Sequence, residues 1–383
     1  MVAWTGAGKG SNIMTSLRFD IGEFGAVGDG RSDNTAALQR AIDAAAAAQG
    51  TLWIPPGVYC TGTLRWRPHV GMRGEPTWSF GDFGGSILRL NDAAASCLLD
   101  LTGAIGATLD GVCLDGGGLG SGVHGVLVAK PDYGKTEDTP RIERCRISRF
   151  SGDGVHLHRI WCFSIRHSMI SHNAGHGVWV RGWDGFLLDN WLSLNNGAGY
   201  AAFEENLSIT LTGNRIEWNR GGGIVSRGGG HYNVTGNSVD RSGGPGIWFA
   251  PRLNTFCSVV AITGNVVYRS GKPEWCPADD AYASCHIRLE GCRGLTCCGN
   301  TMNASTDDRG QGLLSPRFGM VLEGLRDCVV KDNTLYNACA ERLIVDRGGH
   351  NEGTVIRDNT GTVFDADSMP MTELNSAWAD PAW

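Results

Sequence analysis

The chain has 383 residues, 19% of them charged, and a net charge of −6 at neutral pH. Five lysines (Lys9, Lys130, Lys135, Lys272 and Lys331) and no basic cluster exclude nucleic acid as an expected partner, and no 18-residue apolar run is present to span a membrane. With 42% hydrophobic residues and 13 Trp the chain is too apolar to be disordered, and 57 Gly imply a backbone rich in tight turns.

Residues 1–18 read as a small, polar tail without the apolar segment of a secretion signal. The expected location is therefore cytoplasmic or virion-borne, and extracellular only if a signal has been removed. Gly6-Ala-Gly-Lys-Gly-Ser11 is similar to a phosphate loop, but it lacks the Gly-Lys-Ser/Thr ending and a preceding strand, so it is set aside. Residues 19–75 read as a capping helix and a first coil. Ser32-Asp33-Asn34 offers capping side chains, Thr35 to Gln49 is Ala-rich with Leu38 and Ile42 on one face, and Gly50 stops the helix. Such a helix would cover a sheet end that is otherwise an open edge.

Residues 76–362 carry a repeat. Cys145, Ser168, Asn190, Asn214, Asn237, Asn265, Asn300, Asn333 and Asn359 form a column whose first four steps are 22–24 residues. Three positions earlier stand Ile142, Ile165, Leu187, Leu211, Val234, Ile262, Cys297, Val330 and Ile356. Two positions later stand Ile147, Ile170, Leu192, Ile216, Val239, Val267, Met302 and Leu335, and then Gly361. A third apolar column, Val155, Val178, Tyr200, Ile224, Ile247, Ile287, Met320 and Leu343, follows short Gly-rich turns. Three short strands per coil, with alternating inward positions, predict an all-β, single-stranded right-handed parallel β-helix with a short N-terminal capping helix. Asn suits the column because it tolerates left-handed backbone, and stacked amides bond along the ladder. A helical repeat is rejected, since Gly and Asn recur where helix middles would lie.

Residues 363–383 form a tail, with Met369-Pro-Met and Trp383, that is expected to pack on the last coil or on a neighbouring subunit. Thirteen Cys is an odd number, and core thiols in a reducing compartment are the expected reading. Cys276, Cys285, His286, Cys292, Cys297 and Cys298 lack the spacing of a paired zinc site.

Phe24-Gly-Ala-Val-Gly-Asp-Gly-Arg-Ser-Asp-Asn-Thr-Ala-Ala-Leu-Gln and Leu52-Trp-Ile-Pro-Pro-Gly-Val-Tyr resemble the opening of the pectate-lyase-like superfamily, over residues 19–75. The resemblance implies a β-helix and a glycan ligand, and leaves the reaction open among hydrolases, lyases, uronate epimerases and phage tailspikes. Polygalacturonase-type enzymes carry Asp-Asp in one coil and Gly-His-Gly in the next. Gly152-Asp153-Gly154 and Gly175-His176-Gly177 are similar, which would make Asp153 a general acid and His176 its auxiliary. Gly152 replaces the first Asp, however, and His124 stands where a further Asp is expected. Inverting hydrolysis needs two carboxyls, so Glu204 or Glu205, one coil beyond His176, is the expected second one.

In the third strand of each coil the residues between inward positions face out. They form a stripe of His156, His158, Trp179, Arg181, Val225, Arg227, Trp248, Arg288, Glu290, Glu323 and Asp346, with Phe203 and Glu204 at the matching end of their coil. Trp faces suit sugar rings and Arg forks suit carboxylates or sulfates. Long loops at Lys130–Pro140, Arg269–Ser284 and Ser305–Arg317 break the period. The last two bring Asp279, Asp280, Asp307 and Asp308, which would close over substrate or offer oxygens to Ca²⁺. No other metal and no cofactor is expected. His124, Asp280 and Asp308 join the stripe as expected substrate-binding residues.

The leading expectation is a glycoside hydrolase acting on an acidic or partly acidic polysaccharide. A polysaccharide lyase or uronate C5-epimerase is the second, because Arg181, Arg227, His156 and His158 offer a base and cations for uronate chemistry. The third is a non-catalytic glycan-binding or tailspike-type adhesion protein. A trimer or dimer is the expected assembly if the chain oligomerises.

Overall fold

A solenoid of this kind is held by backbone ladders between successive coils and by side chains stacked at equal offsets. The computed structural model describes residues 17–365, except 76, 77, 82, 83, 254 and the side chain of 309. The Gly6–Ser11 stretch, Met369 and Trp383 lie outside the described residues. No helix among the described residues is long and apolar enough to cross a membrane.

The coils build a 20-stranded and a 13-stranded sheet. A regular coil runs through Arg146–Ser148 in the smaller sheet, turns at Asp153, and continues as Val155–Arg166. This last strand bends at a register shift between His158 and Ile160, so two of the three expected faces are one continuous strand here. The same bend recurs between Val180 and Trp183, and between Phe203 and Asn206. Left-handed residues make the corners: Arg159 has φ 57°, Glu204 62° and Glu205 32°.

The Asn column forms a continuous amide ladder from Asn190 to Asn359, each Nδ2 donating to the next Oδ1 over 2.8–3.0 Å. Each amide from Asn190 to Asn359 also donates to a backbone carbonyl, so the amides of this ladder are satisfied. A second ladder, Asn173–Asn195–Asn219, runs three residues after Ile170, Leu192 and Ile216. That offset was readable in the sequence.

The inward columns through Leu335 are buried. The last coil corrects the third column: Met320 pairs with Ile344, not with the expected Leu343. The turn before it, Ala338–Glu341, has no glycine pair to mark the offset. In consequence Asp346 stands opposite Leu322, outside the row that joins Glu290 to Glu323.

Helix α1 (Thr35–Ala47) lies over the first coils and buries Leu38 and Ile42. Asp33 rather than Asn34 caps it, accepting from the Thr35 N–H at 3.0 Å. Asn34 is drawn away by backbone partners at Val27, Ser32 and Cys60. All thirteen cysteines are free thiols, and Cys297 and Cys328 are fully buried, as core thiols should be.

Candidate functional site

Eight strands carry the outward stripe: β1 (His124–Ala129), β2 (Val155–Arg166), β3 (Val178–Leu188), β4 (Ala198–Thr212), β5 (Gly222–Thr235), β6 (Ile247–Ala250), β7 (Cys285–Glu290) and β8 (Phe318–Glu323). Their registers align His156, Trp179, Ala201, Val225, Trp248 and Arg288 in one row. Beside it, His158 pairs with Arg181, and Phe203 pairs with Arg227.

The turns just before these strands form a ladder of their own. His124 Nδ1 accepts from the Asp153 N–H at 3.0 Å, Asp153 Oδ1 from the His176 N–H at 2.6 Å, and His176 Nδ1 from the Ala198 N–H at 2.9 Å. Ala198 has no acceptor, and the ladder stops there. Glycines beside these positions let the coils approach closely. A Cβ on Gly175 would collide with Asp153 Oδ1 and with the Gly152 and Asp153 backbone.

Asp153 is 7% exposed, and its second oxygen lies 2.7 Å from His156 Nδ1. Burial works against its charge, but the His156 hydrogen bond, His176 and its N–H, and His124 together hold the carboxyl below the usual range. Both oxygens of the carboxylate are thereby engaged, one by the His176 N–H and one by His156. At His176, burial lowers the pKa, Nδ1 accepts from the Ala198 N–H, and the ring sits edge-on to Phe203.

His156 is the side chain this arrangement serves. Its Nδ1 is hydrogen-bonded to Asp153, and its ring stands in the outward row beside Trp179. Its ring stacks on Trp179 at 4.2 Å and 5°, and lies 4.4 Å from the His124 ring. His158 accepts from Arg181 at 3.4 Å, and burial followed by Arg159 and Arg181 lowers its pKa. The lone pair of His124 is spent on the Asp153 N–H, and burial followed by His156 lowers its pKa.

Glu204 and Glu205 occupy the corner of β4. Buried Asn206 holds that left-handed bend by donating to the Glu204 carbonyl at 2.9 Å. Both are in ion pairs: Glu205 with Arg181 at 2.7 Å, and Glu204 with Arg181 and Arg252 at 3.7 Å each. Trp248 donates to Glu290 at 2.9 Å and lies between the guanidiniums of Arg227 and Arg288, 4.8 and 4.7 Å from its ring. Asp280 reaches the stripe from its loop and pairs with Arg288.

Asp308 does not reach the stripe. Arg241 and Arg269, which follow strands of the smaller sheet, hold it, and Lys272 holds Asp307 at 2.7 Å. These ion pairs fix the two loops to each other and to the wall. Two residues at the stripe went unmarked in the sequence. Tyr133, in the Lys130–Pro140 loop, stacks on Trp183 at 4.0 Å, and burial and then Glu205 push its phenol up to about 12. Arg252 lies over Phe203 at 5.1 Å. Neither follows the coil period, so no column marked them.

For a metal, the described residues offer His124, Asp153 and His156, whose donor atoms lie within 4.8 Å of one another. In this geometry those atoms are already engaged: Asp153 Oδ2 with His156 Nδ1, and His124 Nδ1 as acceptor from the Asp153 backbone N–H.

The right-handed β-helix region family matches residues 120–252, 160–300 and 209–364. The rhamnogalacturonase A/epimerase, pectate lyase-like family matches residues 19–80. Mannuronan C5-epimerases AlgE2 and AlgE6 of Azotobacter vinelandii are 28% and 26% identical over 55% and 52% of this chain. The matched stretch is only 22% and 24% of those relatives' length. Among solved structures, the A-module of A. vinelandii mannuronan C-5 epimerase AlgE4 superposes with a TM-score of 0.55 at 19% identity, over 90% of this chain and all of that one. DFA-IIIase from Arthrobacter chlorophenolicus A6, in complex with GF2, gives 0.63 at 15% over 88% and 93%. The Dettilon tailspike protein gives 0.61 at 14% over 90% and 68%. Such identities carry the fold. The match over residues 120–364 places this chain in the right-handed β-helix region family, with a pectate lyase-like match at residues 19–80.

Proposed function

We propose that this protein acts on an acidic polysaccharide by removing the proton from C5 of a uronate, with His156 as the base. The observation that carries the reading is the Asp153–His156 pair, 2.7 Å apart, standing in the outward row: with Nδ1 engaged by the carboxylate, Nε2 is the atom that acts as the base. A base poised this way takes a proton alpha to a carboxylate, and the buried Asp153 charge stabilises the imidazolium that forms. Arg181, one coil along and paired with Glu205, offers a guanidinium that the uronate carboxylate can share as charge grows on it. Trp179, stacked on His156, offers the sugar an apolar wall. Return of a proton to the opposite face of C5 is epimerisation, and loss of the C4 substituent is elimination.

The mannuronan C5-epimerases among the relatives support this reading. Hydrolysis, the leading expectation from sequence, is weaker on this geometry. It needs two carboxyls, one of them protonated. Asp153 is held ionised, and Glu204 and Glu205 are tied to arginines.

The test is incubation with polymannuronate, polygalacturonate and neutral glycans, following ultraviolet absorbance, reducing ends and sugar configuration together. A changed C5 configuration, or absorbance from an unsaturated uronate, is expected. New reducing ends with neither would overturn the reading in favour of hydrolysis.

A further inference from the structure

Most arginines that line this outward face are neutralised. Arg181 has Glu205, Arg252 has Glu204, Arg288 has Asp280 and Glu290, and Arg347 has Glu323. Among the described residues Arg227 has no ion-pair partner, and its Nε is buried without a hydrogen bond. Its guanidinium lies 4.8 Å from the Trp248 ring, which Glu290 fixes through the indole N–H. Burial, and then the neighbouring charge of Arg252, disfavours the cation, while Glu290 and Asp280 are occupied elsewhere. A half-buried guanidinium beside a fixed aromatic face, with like charges on both flanks, lacks one component: an anion.

We propose that Arg227 and Trp248 form a subsite for the anionic group of a sugar remote from the one at His156, so that this site reads the charge pattern of the glycan. The idea rests on the glycan reading above and extends it. The register sets the offset, because His158, Arg181, Phe203 and Arg227 occupy four successive coils. Three coil spacings are roughly 14 Å, comparable to a few units of an extended polysaccharide lying along the solenoid. The planar fork suits a carboxylate or a sulfate ester, which share this chemistry. The subsite therefore engages only oligosaccharides long enough to span from His156 to Arg227.

Calorimetric binding tests this in a His156→Gln background, where turnover does not interfere. Uronic hexasaccharides, uronic disaccharides, carboxyl-reduced hexasaccharides and sulfated neutral hexasaccharides are titrated with and without Arg227→Gln. An anionic hexasaccharide should lose about tenfold in affinity on Arg227→Gln, while disaccharides and carboxyl-reduced hexasaccharides should be unchanged. Whether the uronic or the sulfated hexasaccharide responds tells carboxylate from sulfate. Arg227→Lys should recover only part of the loss, since Lys keeps the charge without the fork. Equal binding of the anionic hexasaccharides by both variants, or the same loss for disaccharides and hexasaccharides, overturns the subsite and leaves the glycan reading intact. If no glycan of any class binds either variant, both fall together.

Discussion

His156 Nδ1 lies 2.7 Å from Asp153 Oδ2, and the other oxygen of the same carboxylate accepts from the His176 N–H at 2.6 Å. Asp153 thereby joins two functions, one rung of a turn ladder and the orientation of an imidazole. Replacing His156 by Gln should lower turnover by about 10³-fold with the melting curve retained. Asp153→Asn should lower it comparably, because an amide N–H facing Nδ1 drives the imidazole proton to Nε2. Steady-state rates alongside thermal melts check both, and an active Asp153→Asn variant would mean that the carboxylate does not orient His156.

Gly175→Ala tests the same relationship from the backbone. Its methyl group would displace Asp153 Oδ1 or push apart two coils. Turnover should fall at least about tenfold, as expected when a catalytic group is misplaced, in a variant that remains folded by circular dichroism.

The fold was legible because its causes repeat. Asn at Asn190, Asn214 and Asn237 and the apolar residues flanking them recur at a constant offset, and a constant offset is what a parallel ladder requires. The reading slipped at Leu343, where the turn loses its glycines and Ile344 takes the inward place. The outward row from His156 to Arg288 was also legible, since alternation along a strand dictates it. Hydrogen bonding was not. Nothing in Gly-Asp-Gly reveals that Asp153 gives one oxygen to a backbone N–H and the other to His156. Nor does the loop sequence show that Asp308 is held by Arg241 and Arg269 while Asp280 turns to Arg288.

The amide ladder should matter most at its middle. Asn265 accepts from the backbone and side chain of Asn237, and donates to Val234 and Asn300. Asn265→Ala leaves several buried groups unpaired and should cost about 3 kcal/mol. Asn359, at the open end and only partly buried, should cost about 1 kcal/mol when replaced by Ala. Urea unfolding of both variants gives the comparison, and equal losses would contradict a cooperative ladder.

His286 predicts acid sensitivity away from the stripe. It is fully buried, donates from Nε2 to the Ala338 carbonyl at 2.9 Å, and burial holds its pKa down to about 3. The unfolded chain takes this proton near pH 6.5. Stability from the neutral ring is therefore complete above that pH and is lost as pH falls towards about 3. His286→Gln should flatten this slope in denaturant titrations between pH 6.5 and 4, and an unchanged slope would assign the acid sensitivity to other groups.

The most direct measurement is solvent deuterium incorporation at C5 of a polyuronate incubated with the protein in D₂O, read by NMR, for the native chain and for His156→Gln. The account predicts deuterium at C5, or an unsaturated product that has lost its C5 hydrogen, with the native chain and neither with the variant. Glycosidic cleavage with neither exchange at C5 nor an unsaturated product, or exchange that survives His156→Gln, would contradict it.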